Sequence, residues 1–161
     1  MAYDESKYRK GYSIGVGGVV LCGNKALLVR RALGDHVGDW AISGGFIERD
    51  ETIDVAVQRE VFEEAGVKAK VEGLIAVRSR VTDTENSAYF IFLLRTTDEK
   101  ARADGFEVDE ARFFTLAEVQ ALARVQALTR LVVTQALQGE ATVLMFHTHP
   151  QIPSKEYVIY A

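Results

Sequence analysis

The stretch richest in chemistry runs from Gly44 to Val67, GGFIERDETIDVAVQREVFEEAGV. Glu48, Asp50, Glu51 and Asp54 come first, and Glu60, Glu63 and Glu64 follow. Strong helix formers fill Thr52 to Ala65 without Gly or Pro, and Gly66 follows at once, which predicts a helix with a glycine stop. At about 100° per residue, with Glu60 as zero, Glu64 falls near 40° and Glu63 near −60°. On the same wheel Ile53 lies at about 20° and Val57 at about 60°, so the acids continue a stripe that apolar residues begin. A solvated acidic face belongs on the other side of the helix. Carboxylates gathered on a packing face repel one another and lose hydration. A hard divalent cation such as Mg²⁺, which prefers oxygen ligands, resolves that conflict. The competing reading is a salt-bridge network built on Arg59 and Glu63 at i,i+4. One arginine cannot neutralise three glutamates.

The order of these residues is decisive. Gly45 is followed after five residues by Glu51 and after seven more by Arg59-Glu60-Val61-Phe62-Glu63-Glu64-Ala65-Gly66-Val67. This resembles the Nudix box, G-x5-E-x7-R-E-U-x-E-E-x-G-U with U a bulky aliphatic residue, and every specified position is filled. The order of elements on either side is similar to the rest of a Nudix fold as far as about Leu137. The resemblance implies an α/β architecture, a mixed β-sheet sandwiched between helices (α/β/α). It implies Glu60, Glu63 and Glu64 as ligands to Mg²⁺ or Mn²⁺, with the Gly45 carbonyl as a further ligand. Glu51 and Arg59 would pair and fix the loop against the helix, Val61 would anchor the core, and Gly66 would permit the exit into the next strand. The implied reaction is metal-dependent hydrolysis of a nucleoside diphosphate linked to another moiety, by water attacking a phosphorus centre.

Residues outside the box add weaker signals. Family members often carry a further acid in a later loop. Glu107, Asp109 and Glu110 precede Arg112-Phe113-Phe114, and Glu107 ranks first because it stands far enough before the strand to bend over a metal site. Arg78 and Arg80 alternate along a strand and share a face, where guanidinium forks suit phosphate. Arg30 is a further candidate for the substrate, and Trp40 a candidate stacking surface. His147 and His149 form an HxH without a third ligand nearby. Gly15, Gly17 and Gly18 are followed by a strand, which argues for close sheet packing or backbone approach to a ligand and against a dinucleotide fingerprint.

Departures from family patterns bear on the substrate. Ser43 stands where many members have proline before the two glycines, and Val77 to Asn86 lacks the proline of the NADH-specific signature. Trp40 to Glu48, WAISGGFIE, is more similar to NADH- and ADP-sugar-cleaving members than to triphosphate cleansers. The expected substrate is therefore of the ADP-ribose, NADH or ADP-sugar type. The alternatives are a pyrophosphohydrolase of nucleoside triphosphates, oxidised ones included, and a Nudix-fold module that senses a nucleotide without turnover.

The elements that must position these residues follow from pattern. Tyr12–Cys22 and Lys25–Arg31 read as a hairpin around Gly23-Asn24, Trp40–Ile42 as a short extended piece, and Ser43-Gly44-Gly45 as a break. Val71–Val81 and Ala88–Arg95 read as strands joined by a polar turn, Thr96–Asp109 as a charged loop, and Arg112–Thr115 as a short strand. Leu116–Ala123 reads as a helix, and Gln126–Leu137 as a second with Leu128, Leu131, Val132 and Gln135 on its stripe. The expected organisation is a Nudix domain over residues 1–138 and a C-terminal extension over 139–161. That extension holds Phe146, Tyr157, Ile159 and Tyr160, and is expected to pack on the domain or on a second copy in a homodimer.

Composition agrees with one soluble domain. The 161 residues are 48% hydrophobic and 26% charged. With 19 Lys plus Arg against 23 Asp plus Glu, the net charge of −4 argues against a general nucleic-acid or anionic-membrane binder. The single Cys22 forms no internal disulfide and suits a reducing cytoplasm. Met1 to Lys10 is polar without a signal-peptide core, and Ile14–Cys22 is far short of the ~20 residues that span a bilayer.

Overall fold

The computed structural model describes residues 11–34, 36–147 and 159–160. β1 (Gly11–Cys22) and β2 (Lys25–Arg31) form the expected hairpin, turned by Gly23 at φ 57°. β3 (Trp40–Ala41) and β4 (Ser43–Phe46) lead into α1 (Ile53–Ala65). β5 (Lys70–Val81), β6 (Glu85–Arg95) and β7 (Val108–Thr115) follow, then α2 (Leu116–Ala121), α3 (Ala127–Gln138), β8 (Leu144–His147) and β9 (Ile159–Tyr160).

The strands run β3-β2-β1-β6-β5-β8-β9, with β4 also paired to β1 and β7 to β2. β1 and β6 are parallel and the other named pairs antiparallel, so the sheet is mixed. Helices cover both faces. On one, Ala56, Val57, Val61 and Ala65 of α1 pack on Val16, Val20, Leu27, Phe92 and Leu94. On the other, Val119 of α2 and Val132, Val133 and Ala136 of α3 pack on Val19, Leu21, Leu28, Ile91 and Phe114. This is the α/β/α sandwich. Alternation along β1 sends Val19 and Val20 to opposite cores, as a strand buried on both faces requires.

Three local readings change. Ser43-Gly44-Gly45 does not break the sheet: it is part of β4, in register with Gly18, Gly17 and Val16 of β1. Glycine faces glycine there, so the two backbones meet with little side chain between them. β7 begins at Val108, because the segment before it is folded by Asp104 and not left as an open loop. The buried stripe of α3 is Thr129, Val132, Val133 and Ala136, whereas Leu131 is 56% exposed. Thr129 draws the helix round by accepting a hydrogen bond from the Ile42 amide at 3.1 Å.

Beyond α3, Leu144 and Met145 of β8 pair with Leu74 and Gly73 of β5. The Tyr160 ring meets Phe92 edge-on at 5.3 Å and joins the α1-side core. Tyr157 and His149 lie outside the described residues, as do the side chains of Phe146, His147 and Ile159.

Candidate active site

β4 and α1 build the acidic part of the site. The Thr52–Ala65 segment propagates as a helix until Gly66, whose φ of 65° turns the chain out. One face of that helix packs through Val57 and Val61, so the next turn carries Glu60 and Glu64 toward the same side. Glu64 is 3% exposed. Ser43 Oγ donates to its Oε2 at 2.5 Å, and the Gly44 amide donates to the same oxygen at 3.0 Å. Glu60 lies against the next residue of the strand: a Cβ on Gly45 would stand 2.5 Å from Glu60 Oε1. Gly45 thus makes room for the Glu60 carboxylate. Glu63 sits at the rim of the arc, its side chain 57% exposed.

Arg59 binds the box together. Its Nη2 and Nε donate to Glu51 Oε1 at 2.7 Å and Oε2 at 3.1 Å, a two-pronged pair. Nη2 also donates to the Phe46 carbonyl at 3.1 Å, which ties the loop to the helix. Nη1 donates to Glu60 Oε1 at 2.8 Å and Glu63 Oε2 at 3.0 Å. The Arg59 fork holds Glu51 below the usual carboxylate range, and Glu51 in turn raises Arg59. Burial pushes Glu60 up against the pull of Arg59, and pushes Glu64 up to about 7 against its two donors. Among the described residues no three acidic, cysteine or histidine side chains converge closely enough to hold a metal ion as they stand. Arg59 Nη1 accounts for part of this, because it lies between Glu60 and Glu63.

A cavity of about 700 Å³ opens over this region. Gly45, Glu60, Glu63, Arg59 and Glu107 line it together with Arg31, Arg78 and Arg80, the last in an ion pair with Glu85 at 3.7 Å. Glu107 is brought there by Asp104. The Asp104 carboxylate accepts from the amides of Phe106 at 2.9 Å, Val108 at 3.0 Å and Glu107 at 3.1 Å. The Asp104 amide donates to the Glu64 carbonyl and the Ala32 amide to the Glu107 carbonyl, so the loop is fastened to α1 and to the end of β2.

Arg78 lies over the Tyr89 ring, 5.3 Å from its centroid, and donates to Ser87 Oγ at 3.4 Å. Its Nε is buried and has no hydrogen-bond partner among the described residues. Tyr89 fits because β1 carries no side chains beneath it: a Cβ on Gly15 would stand 2.8 Å from its ring, and one on Gly17 2.5 Å from its hydroxyl. Those two glycines therefore serve the cavity wall. Gly18 serves the core, where an added Cβ would meet Val61 at 2.9 Å.

Two sequence candidates lie elsewhere. Trp40 is 8% exposed and meets Phe114 edge-on at 4.8 Å in the α3-side core, so its ring is not a face of the cavity. Arg30 pairs with Asp109 at 2.7 Å and Glu110 at 2.9 Å, which takes both acids away from the site as well. Alternation along β2 gives Arg31 the face of Leu27 and Val29, toward α1, and gives Arg30 the face of Leu28, over Trp40, so Arg31 lines the cavity instead. Sequence reasoning missed Tyr89, Ser87, Gln126 and Thr129 on the cavity wall. The empty row Gly15, Gly17 was the available signal for Tyr89; nothing in the spacing marks the residues at the start of α3.

Residues 11–136 match the NUDIX domain. The chain belongs to the Nudix hydrolase family. The ADP-ribose pyrophosphatase of Methanocaldococcus jannaschii is 35% identical over 125 residues, covering 74% of this chain and 73% of that protein. A NUDIX hydrolase from Nitrosomonas europaea superposes with a TM-score of 0.71 at 25% identity, over 80% of this chain and 72% of that one. The NUDIX domain of Shewanella oneidensis NrtR, solved in complex with ADP ribose, gives a TM-score of 0.72 at 21% identity, over 85% of this chain and 93% of that one. At that identity the likeness is one of fold. No helix among the described residues of this Nudix hydrolase is long and apolar enough to cross a membrane.

Proposed function

We propose that this Nudix hydrolase cleaves, at the diphosphate, a nucleoside diphosphate linked to a second moiety, of which ADP-ribose is the type. The observation that carries this reading is one cavity lined both by the box carboxylates Glu60 and Glu63 and, besides Arg59, by Arg31, Arg78 and Arg80. A volume of about 700 Å³ suits a ligand of nucleotide size. Arg78, with its unused buried Nε donor, and Arg80 would hold the diphosphate; Arg31 adds a third cation on the wall. The ADP-ribose pyrophosphatase named above supports the choice within the class.

The donor set fits a hard cation: Glu60, Glu63 and Glu64 supply oxygen alone, and burial penalises the charge of Glu60 and Glu64 until a positive partner arrives. These residues, with the Gly45 carbonyl, would hold Mg²⁺ or Mn²⁺. When bound, such an ion neutralises the diphosphate and favours attack by water. The Arg59–Glu51 fork would keep the loop in place around Glu60 and Glu63 when they hold the ion. Glu107 brings a further carboxylate to the same cavity from the loop before β7. We place the enzyme in a reducing cytoplasm, in keeping with its free, buried Cys22, and assign the C-terminal extension to the domain surface or a homodimer contact.

The test is kcat/KM across ADP-ribose, NADH, ADP-glucose and the common and oxidised nucleoside triphosphates at one Mg²⁺ concentration. A linked diphosphate should lead by at least tenfold, about 1.4 kcal/mol of discrimination. A triphosphate leading by that margin overturns the substrate reading. Tight binding with no turnover of any compound overturns the assignment of this substrate chemistry in favour of a sensor.

A further inference from the structure

Ser43 is wholly buried, at 0% exposure, in a strand whose neighbours are small or apolar. A hydroxyl in such a place is costly unless it is hydrogen-bonded. Its partner is Glu64 Oε2 at 2.5 Å, with the Glu60 carbonyl farther off at 3.3 Å. A hydroxyl has one proton to donate, and the shorter contact to a carboxylate takes it. The Gly44 amide donates to the same Oε2. Both donors therefore engage one oxygen of Glu64, and neither engages Oε1. Two donors on one oxygen fix the rotation of the carboxylate plane, which a backbone amide alone leaves freer.

We infer that Ser43 is a positioning residue for the Nudix chemistry: by clamping Glu64 Oε2 from within the strand, it sets Oε1 as the oxygen that Glu64 offers to the catalytic cation. This rests on the metal-dependent reading above. A proline or alanine at position 43 would supply no side-chain donor. Partners that orient a ligand in this way change metal affinity or activity by roughly 10–100-fold when removed.

The experiment compares wild type, Ser43→Ala, Glu64→Gln and the double variant. Mn²⁺ affinity is read from the free-ion EPR signal, alongside kcat and KM for ADP-ribose. Ser43→Ala removes one oxygen from a buried strand and adds no bulk, so the fold is retained. Its Mn²⁺ affinity should fall at least tenfold, and kcat at least tenfold at saturating substrate, with KM within twofold. In the Glu64→Gln background, Ser43→Ala should produce no further loss of Mn²⁺ binding, because the group it orients is gone. If Glu64→Gln loses Mn²⁺ affinity while Ser43→Ala keeps it, Ser43 has a structural role only and the inference falls. A full Ser43→Ala effect that persists in the Glu64→Gln background also overturns it. If Glu64→Gln itself binds Mn²⁺ like wild type, the metal-site reading fails, and the inference with it.

Discussion

Replacing Glu64 by glutamine should stabilise the metal-free protein while destroying its activity. Burial lifts the Glu64 carboxyl from 4.5 to about 7, against the Ser43 hydroxyl and the Gly44 amide, which favour its charged form. A tenfold change in proton affinity is worth about 1.4 kcal/mol, so at pH 8 the buried charge costs the folded state roughly 3 kcal/mol relative to the unfolded chain. The sign follows from the order of the two states. Well below pH 4.5 the group is protonated in both, and the penalty is absent. As the pH rises from 4.5 to about 7 the unfolded chain ionises first, and stability drains away; above about 7 the deficit is constant.

Glutamine carries no charge at any pH and keeps an oxygen for the two donors. Its amide nitrogen then lacks a partner, which returns part of the gain. The expected net effect at pH 8 in EDTA is about 1–3 kcal/mol, and each kcal/mol moves Tm by about 2–4 °C in a domain of this size. At pH 5 the difference should shrink to below about 1 kcal/mol. Excess Mn²⁺ should reverse the order, because the ion stabilises the variant that binds it. Scanning calorimetry at pH 5 and pH 8, with and without Mn²⁺, reads all four states. A Glu64→Gln protein less stable than wild type at pH 8 in EDTA, or a gap that does not change with pH, would refute the claim that Glu64 carries an unneutralised buried charge.

Gly45→Ala and Gly44→Ala should separate activity from folding. An alanine methyl at 45 meets the movable Glu60 carboxylate, so turnover should fall at least tenfold with Tm shifted by only a few degrees; at 44 it meets the Val16 carbonyl oxygen, so that variant should lose Tm instead, as paired thermal and kinetic assays will read. Desolvation opposes the charge of Asp104, but amides of Phe106, Val108 and Glu107 outweigh it and hold the group below 3.8. Its stabilisation is thus present above 3.8 and lost as the pH falls through its lower folded value. Asp104→Ala should accordingly be less stable than wild type at pH 7, with the gap closing in acid, and should lose turnover through a loosened Glu107; equal kcat would count against Glu107 as a working residue. The amides of β8 that bond to β5 should be protected from hydrogen exchange, and rapid exchange throughout Leu144–His147 would contradict the pairing of Gly73 with Met145.

What the sequence disclosed and what it withheld divide along a physical line. The helix, its glycine stop and the order of the box residues are local properties, set by spacing of a few residues along the chain. They were legible together with the direction of Glu60 and Glu64, because a 3.6-residue period converts spacing into a face. Glu63 escaped that rule: it stands at the rim of the arc, where the same geometry leaves it exposed. Residues that reach the cavity from other elements were less legible. Arg78 and Arg80 both line the cavity, and their shared face was legible because alternation on a strand is also local. Arg31 and not Arg30 lines the cavity because alternation on β2 gives it the face of Leu27 and Val29, and that this face carries the site depends on α1 packing there, a contact no local pattern identifies. Trp40 was drawn into the core by Phe114, a partner 74 positions later that no local pattern identifies. Ser43 is the instructive intermediate case. As a departure from a pattern it was visible in the sequence, but its meaning depends on Glu64 across a helix–strand contact. The box is written in local spacing, whereas a contact such as Ser43 with Glu64 exists only once the fold supplies the partner.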